Sequence, residues 1–199
     1  MPSPVKLIVG LGNPGNEHID TRHNAGFWFI DALADIYSVS FHPDTKFHSE
    51  ICRIQSKGID CWLCKPMTYM NVSGQAVQSI ASFYKISLEE ILVVHDEIDL
   101  DAGTVRLKTE GGHGGHNGLR DIIEKTGGNN FIRLRIGVGH PGSKERVTPH
   151  VLGKPDSDDR KLIDNAISNA IDIMPHLFAG EIQKAMTTLH TAQNAANEE

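Results

Sequence analysis

The chain of 199 residues lacks the features that mark membrane and secreted proteins. It contains no run of 18 apolar residues, so no transmembrane helix is expected. The apolar stretch near its start, residues 7–11, is short and ends among glycines, which is unlike a signal peptide. With neither a membrane segment nor a targeting segment, we expect a cytoplasmic protein that does not associate with membranes.

Cysteine is also scarce, and three residues do not favour a disulfide framework. Cys61 and Cys64 form a C-x-x-C pair, which is typical of redox motifs and of zinc half-sites. Residues 59–65 are predicted to form a strand, however, where side chains three positions apart lie on opposite faces. No second C-x-x-C pair completes a four-cysteine zinc site. We therefore interpret the cysteines as structural.

Positive charge is in the minority, since the net charge is −6 with neutral histidines, but it is unevenly distributed. Residues 1–102 carry 7 Lys/Arg and 13 Asp/Glu, and residues 155–199 carry 3 and 8. Residues 103–154 carry 9 basic and 4 acidic side chains, a net charge of +5. This basic island is either an ordinary solvated face or a surface that attracts phosphate within an acidic protein.

Apolar periodicity predicts strands that alternate with helices along the whole chain. Predicted strands lie at 5–9, 47–56, 59–65, 91–95, 104–108 and 132–139, and predicted helices at 23–37, 73–84, 119–125, 156–174 and 180–190. The second and third strands form a hairpin, and the alternation in the last strand places Arg133 and Arg135 on a polar face. No linker or repeat is visible. We expect a single α/β domain, residues 1–199, with a mixed twisted β-sheet flanked by helices on both faces.

The first predicted strand is followed by Gly10, Gly12 and Gly15. They form a G-x-G-x-x-G pattern, which is typical of dinucleotide-binding loops. Such a loop needs a helix that begins inside the glycine stretch and meets the pyrophosphate. Here residues 13–16 predict a turn, and the helix begins later. We favour a tight turn that presents Asn13 at the end of the strand, and nucleotide binding is the alternative.

His23 and Asp96 are the candidates for a general base and its partner. His23 lies at a predicted helix start, where the helix dipole disfavours the protonated ring and keeps it available as a base. Asp96 follows a strongly apolar strand, at the sheet edge where ligands gather. A carboxylate there can accept the imidazole N–H and fix its tautomer. The alternatives are a surface histidine and a Mg²⁺ site formed with Glu97, Asp99 and Asp101.

Two further segments place polar side chains between a strand and a helix. Asn71 either caps the following helix or binds a substrate. Residues 111–118, GGHGGHNG, contain enough glycine to bring backbone N–H groups close to a ligand. We expect this loop to deliver His116 and Asn117 to a cleft, with a metal site at His113 and His116 as the alternative. Because no G-x-S-x-G elbow is present, a hydrolase of this sequence is expected to use water as its nucleophile.

Six motifs, in order, resemble those of bacterial-type peptidyl-tRNA hydrolases. They are residues 9–15, 21–26, 65–71, 95–97, 111–118 and 133–142. The resemblance implies a monomer of one α/β domain that needs no cofactor and no metal. It also implies hydrolysis of the ester between a peptide, or an N-acyl-amino acid, and the 3′ ribose of tRNA, which recycles tRNA from stalled or aborted translation.

The resemblance further assigns roles to individual residues. It implies His23 as the catalytic base, Asp96 as its orienting partner and Asn13 as the group that positions substrate or water beside the ester. Residues that bind the peptide part or line its cleft are Asn71, Asn117, Met70 and His116. Basic positions that contact tRNA are Lys108, Arg135 and Lys144.

One position departs from the family pattern, because His18 stands where relatives usually have a tyrosine that supports the cleft. We expect His18 to keep a ring there and to add a titratable group near His23. A non-catalytic RNA-binding module on the same fold is the alternative function. The presence of His23 and Asp96 with the three asparagines favours the enzyme.

Overall fold

The computed structural model describes residues 3–196 and contains one seven-stranded sheet in the order β2-β3-β4-β1-β5-β7-β6. Parallel pairing joins β1 to both β4 and β5, and β5 to β7. The remaining neighbours pair in antiparallel fashion. The predicted mixed sheet is therefore confirmed. Its strands are β1 (Leu7–Gly10), β2 (His42–Asp44), β3 (Ser49–Ser56), β4 (Ile59–Pro66), β5 (Ile91–Glu97), β6 (Val105–Lys108) and β7 (Ile132–Gly137).

Helices cover both faces of this sheet and enclose two apolar cores. Cys61 lies in the core beneath α1, α5, α6 and α7, and Cys64 in the core beneath α2 and α3, as expected for strand residues three positions apart. No helix in the described range is long and apolar enough to cross a membrane. The helices are α1 (Ala25–Ile36), α2 (Ser73–Tyr84), α3 (Asn117–Thr126), α4 (Val147–Val151), α5 (Ser157–Asp172), α6 (Met174–Phe178) and α7 (Ile182–Ala196).

Several predicted elements differ from the observed ones at their ends. The strand β2 and the helices α4 and α6 were not predicted, because all three are very short. The predicted helix 23–37 begins instead with a 3-10 turn, Arg22–Asn24, and becomes α-helical at Ala25. The prediction that Arg133 lies on a polar face is wrong, since only 2% of this residue is exposed.

Two glycines, the last residue of β1 and the second residue of α1, allow this helix to lie in close contact with the sheet. A Cβ at Gly26 would overlap the backbone of Leu11 and Val94, and a Cβ at Gly10 would overlap the carbonyl oxygen of Gly26. Because α1 begins ten residues after Gly15, its N-terminus lies outside the glycine stretch. Packing against α1 therefore explains Gly10 and Gly12 of the glycine pattern, and it brings the His23 turn against the end of β5.

Candidate active site

The carboxyl ends of β1 and β5 place the candidate catalytic residues at one edge of the sheet, with His23 and Asp96 in one cleft and Asn13 in another cavity. Asn13 follows β1, His23 lies in the turn before α1, and Asp96 lies at the end of β5. A cleft of about 480 Å³ opens in front of His23 and Asp96. Its other lining residues include Ile98, His116, Asn117, His140, Lys144, Val147 and Val151.

His23 and Asp96 form the predicted pair. Nδ1 of His23 lies 2.9 Å from each carboxylate oxygen of Asp96, and only 8% of His23 and 2% of Asp96 are exposed. Burial by itself lowers the pKa of His23, but the charge and hydrogen bond of Asp96 raise it above its ordinary value. The effect of Asp96 on the pKa of His23 is therefore larger than the opposite effect that we expected from the helix start. With Nδ1 committed to Asp96, Nε2 is left for the cleft.

Burial also acts on Asp96, and alone it would raise the pKa of this carboxyl group. The charge of protonated His23, with the hydrogen bonds from His116 and His23, outweighs burial and holds the pKa of Asp96 well below its usual range. Nε2 of His116 lies 2.8 Å from Oδ1 of Asp96. One buried carboxylate thus accepts hydrogen bonds from two imidazoles.

Asn13 is held in a defined orientation by its neighbours. Its backbone N–H donates to Oδ1 of Asn24 over 2.8 Å, and Nδ2 of Asn24 donates back to its carbonyl oxygen over 3.0 Å. Its own side-chain Oδ1 accepts the backbone N–H of Met70 over 2.7 Å. This last bond distinguishes the two ends of the amide, so the Nδ2 hydrogens of Asn13 remain for other partners. Met70 is buried and joins the loop after β4 to the loop after β1.

The other two asparagines are exposed. Asn71 lies in a 3-10 turn, Met70–Val72, and the N-cap of α2 is Val72, so the helix-cap interpretation of Asn71 is wrong. Asn117 begins α3 and lines the cleft; its Oδ1 accepts a hydrogen bond from Arg120 over 3.1 Å.

His18 is half-buried in a 3-10 turn and is not among the residues that line the His23 cleft. Its Nε2 lies 3.7 Å from the carboxylate of Glu17. The expectation that His18 adds a titratable group near His23 therefore stays a prediction, and His18 does not line the cleft itself.

The predicted tRNA-contacting residues lie on two sides of the glycine loop. Lys144 lines the His23 cleft, whereas Lys108 and Arg135 line a neighbouring cavity of about 290 Å³ behind the loop. Arg135 forms an ion pair with Glu97 at 2.8 Å, so a nearby carboxylate partly compensates its charge. Lys108 is exposed at the end of β6.

Arg133 is a structural residue that the sequence pattern did not reveal. Its guanidinium donates to the backbone carbonyl oxygens of Asn129 and Phe131 over 3.0 and 3.1 Å, and to that of Gly111. It also stacks on the ring of Phe131, 4.1 Å from its centroid. Arg133 thus anchors the start of the loop that carries His116.

Arg22 is a second residue of this kind and connects the His23 turn to the wall of the cleft. Its backbone N–H donates to the Gly153 carbonyl over 3.0 Å. Its side chain donates to the carbonyl oxygens of His150 and Lys154 over 3.1 and 3.2 Å. The wall formed by α4 is therefore tied to the turn that holds the base. The only indication of this role in the sequence is that Arg22 directly precedes His23.

The ligand atoms of His23, Asp96 and His116 lie within 4.8 Å of one another, as in some metal sites. His116 Nδ1, however, accepts the backbone N–H groups of Gly118 and Leu119 over 3.1 and 3.4 Å. The proton of a neutral His116 ring must then reside on Nε2, the atom that a shared metal would need unprotonated. This donor set therefore suits hydrogen bonding to Asp96 better than metal binding. Within residues 3–196, Asp99 and Asp101 do not belong to a cluster of potential ligands.

Comparison with known proteins shows which family this chain belongs to. The sequence model of the family described as "Peptidyl-tRNA hydrolase" matches residues 7–198. The peptidyl-tRNA hydrolase of Acinetobacter baumannii (strain AYE) is 53% identical over 193 residues, which cover 97% of this chain and 100% of that protein. The peptidyl-tRNA hydrolase of Halorhodospira halophila is 54% identical over 185 residues, 93% of this chain and 95% of that protein.

Solved structures agree with the sequence relatives. A crystal structure of peptidyl-tRNA hydrolase from Acinetobacter baumannii matches with a TM-score of 0.91 and 54% identity. The match covers 93% of this chain and 94% of that one.

Proposed function

The chain belongs to the peptidyl-tRNA hydrolase family and hydrolyses peptidyl-tRNA, and from this premise we propose how its residues cleave the ester. The bond broken joins the peptide, or an N-acyl-amino acid, to the 3′ ribose of tRNA. The nucleophile is a water molecule activated by His23 and Asp96. The observation that carries this mechanism is the 2.9 Å contact from His23 Nδ1 to Asp96, which commits one ring nitrogen and leaves the other for the cleft.

His23 acts as the general base through Nε2. The Nδ1–H donates to Asp96, so Nε2 carries the lone pair that takes a proton from water as the water oxygen attacks the ester carbonyl carbon. The tetrahedral intermediate then expels the ribose 3′ oxygen, which receives the proton from Nε2. Because Asp96 raises the pKa of His23, the imidazolium formed between these steps is stabilised.

Asn13 supplies hydrogen-bond donors at the ester. Its Oδ1 is occupied by the Met70 N–H, so its Nδ2 hydrogens are the groups available to a substrate. A donor held in place before the reaction stabilises the negative charge that develops on the carbonyl oxygen. Met70 therefore acts on the ester indirectly, by fixing the amide of Asn13.

Exposed amides provide contacts with the peptide that do not depend on its sequence. Asn71 and Asn117 each offer both a donor and an acceptor, which match a peptide backbone whatever its side chains. In Asn117 the bond from Arg120 occupies Oδ1 and favours donation from Nδ2. His116 lines the cleft beside Asn117, whereas Met70 is buried and acts through Asn13. His18 does not line the cleft, so it belongs to the substrate-binding set only as a support of the loop after Asn13.

The basic island binds the tRNA part. Residues 103–154 carry a net charge of +5, and Lys108, Arg135 and Lys144 provide phosphate contacts that do not read sequence. The acidic remainder of the protein repels RNA and directs it to this side. The substrate is a product of translation, so the proposed place of action is the cytoplasm. His23, Asp96 and Asn13 come from one chain, so a monomer contains the complete site.

His23→Ala tests the assignment of the base. The variant is expected to lose hydrolysis of N-acyl-aminoacyl-tRNA by about 10²- to 10⁴-fold, because no other side chain takes the proton from water. Its affinity for tRNA, measured by filter binding or fluorescence anisotropy, is expected to stay close to wild type. A parallel loss of tRNA affinity would instead identify His23 as a binding residue.

A further inference from the structure

Three histidines surround Asp96, and each contacts a different part of it. His23 Nδ1 and His116 Nε2 approach the carboxylate over 2.9 and 2.8 Å. His95 Nδ1 instead donates to the backbone carbonyl oxygen of Asp96 over 2.8 Å. The ring of His116 lies between the other two, with centroids 5.0 Å from each. The chemistry of the base therefore depends on which of these rings can take up a proton.

His116 is locked as a neutral donor by the helix that follows it. It is the N-cap of α3, and its Nδ1 accepts the N–H groups of Gly118 and Leu119. Protonation of Nδ1 would place an N–H opposite these two N–H groups, at the positive end of a ten-residue helix. Nε2–H is therefore directed at Asp96 and Nδ1 is kept unprotonated.

His95 is excluded as a proton acceptor by its surroundings. Only 2% of the residue is exposed, and its Nε2 has no hydrogen-bond partner in the described part of the chain. Burial lowers the pKa of His95 to about 3. Of the three rings, only His23 combines a carboxylate partner with a second nitrogen that no other group of the described residues occupies.

We propose that His116 is a positioning residue that acts through Asp96, as a fixed neutral donor that orients the carboxylate and limits the proton affinity of His23. This inference rests on the proposed role of His23 as the base. It changes the role of His116 from a group that touches the substrate to one that tunes the base. The hydrogen bond from His116 disperses part of the negative charge of Asp96, so its loss strengthens the attraction between Asp96 and protonated His23.

Other charged groups near His23 are the same in wild type and in variants of His116. Glu97, on β5, is paired with Arg135 of β7. On the opposite wall of the cleft, His140 and Lys144 face the same space, and His140 Nδ1 accepts the N–H of Gly142 over 3.0 Å. A change in the titration of His23 on substitution of His116 therefore reports on the Asp96 contact.

The informative substitution is His116→Asn. Asparagine is a preferred N-cap and keeps an acceptor for the N–H groups of Gly118 and Leu119, but it is too short to keep the bond to Asp96. The matched control is His113→Asn in the same loop. His113 Nδ1 also accepts a backbone N–H, from Gly115 over 2.9 Å, and His113 does not contact Asp96 in the described structure.

Two readouts on the intact proteins test the proposal. The first is the titration of the His23 ring by NMR, which needs no turnover. In His116→Asn its midpoint is expected to move to higher pH, while His113→Asn matches wild type. The second is the pH profile of hydrolysis, whose acidic limb is expected to move the same way. In addition, kcat is expected to fall about tenfold, with KM changed less, on loss of one hydrogen bond to a charged group.

The outcomes separate this inference from the proposed function. An unchanged His23 titration in His116→Asn would overturn the proposal, as would a loss of activity confined to KM, which would make His116 a substrate ligand. A His116→Asn protein with a lowered melting temperature and an unshifted titration would show a purely structural cap. If wild type does not cleave N-acyl-aminoacyl-tRNA, the proposed function fails, whereas the NMR result still decides whether His116 tunes His23.

Discussion

Asp96 interacts with three imidazoles, and the contacts of each ring nitrogen give these side chains different properties. His23 gains a carboxylate partner and its pKa rises, while His95 gains only a backbone carbonyl and its pKa falls to about 3. Two residues of the same type, both buried near the end of β5, thus have pKa values shifted in opposite directions. The difference arises because the charge of Asp96 outweighs desolvation at His23, whereas desolvation dominates at His95.

The low pKa of His95 predicts acid destabilisation. Between pH 6.5 and its folded-state pKa, the unfolded chain binds a proton at His95 that the folded protein does not bind. This proton binding stabilises the unfolded chain, so the free energy of unfolding decreases progressively as the pH falls from about 6.5 towards 3. From pH 6.5 to pH 5, His95 is expected to remove about 2 kcal/mol from the free energy of unfolding.

His95→Asn provides the comparison, since its amide can still donate to the Asp96 carbonyl but does not titrate. Urea unfolding at several pH values is expected to show a smaller decline for the variant than for wild type, whatever the cost of the smaller side chain. Parallel declines would contradict the assignment.

At the residue scale, the sequence predicted the His23–Asp96 pair because both residues follow from simple rules about strand ends and helix starts. It did not predict Arg133, because an alternating strand pattern assigns every second side chain to the solvent. Arg133 is instead buried against backbone carbonyls. The sequence also could not predict the position of His18, because that position depends on the conformation of the loop after Asn13.

The contact between α1 and the sheet is the element-scale feature on which the site depends. The His23 turn is continuous with α1, and Gly26 allows this helix to approach Leu11 and Val94 without a side chain between them. A wider separation would move the base away from the end of β5.

Gly26→Ala tests this dependence. The added methyl group would overlap backbone atoms of Leu11 and Val94, which cannot move aside as a side chain does. We expect a loss of about 3 kcal/mol or more in the free energy of urea unfolding. Gly112→Ala is the matched control, because a Cβ there has no neighbour within 4 Å. A Gly26→Ala protein as stable as the control would show that the close approach is not required.

The sequence predicted most helices and strands, but not the tertiary contacts that determine where each one ends. The last helix was expected to stop at residue 190, where the sequence becomes polar. In the structure, α7 continues to Ala196, because its polar side chains bind the edge strand β6. Gln193 Oε1 accepts the N–H of Val105 over 2.9 Å, and His190 Nε2 accepts that of Leu107 over 3.1 Å. These bonds cover an otherwise open sheet edge.

At the scale of the whole molecule, the charge distribution separates two functional sides. The chain is acidic overall, so a tRNA ligand is attracted only where residues 103–154 dominate. The three proposed phosphate contacts lie around the glycine loop, next to the cleft. Charge alone favoured an ordinary solvated face, because net charge does not reveal which side chains share a surface.

Charge reversal distinguishes these interpretations. Lys108→Glu or Lys144→Glu is expected to weaken tRNA binding and to reduce the slope of log affinity against log salt concentration by about 1. Lys161→Glu, on α5, changes the net charge equally and is expected to leave that slope unchanged. Equal slopes for all these proteins would place the tRNA elsewhere.

The most direct test of the account is the release of N-acyl-amino acid from N-acyl-aminoacyl-tRNA by the purified protein, with free aminoacyl-tRNA as the comparison substrate. We predict rapid cleavage of the acylated substrate only, and loss of that cleavage in His23→Ala. Cleavage at wild-type rates by His23→Ala, or no cleavage by wild type despite tRNA binding, would contradict the account. The latter result would identify an RNA-binding module on an enzyme-like fold.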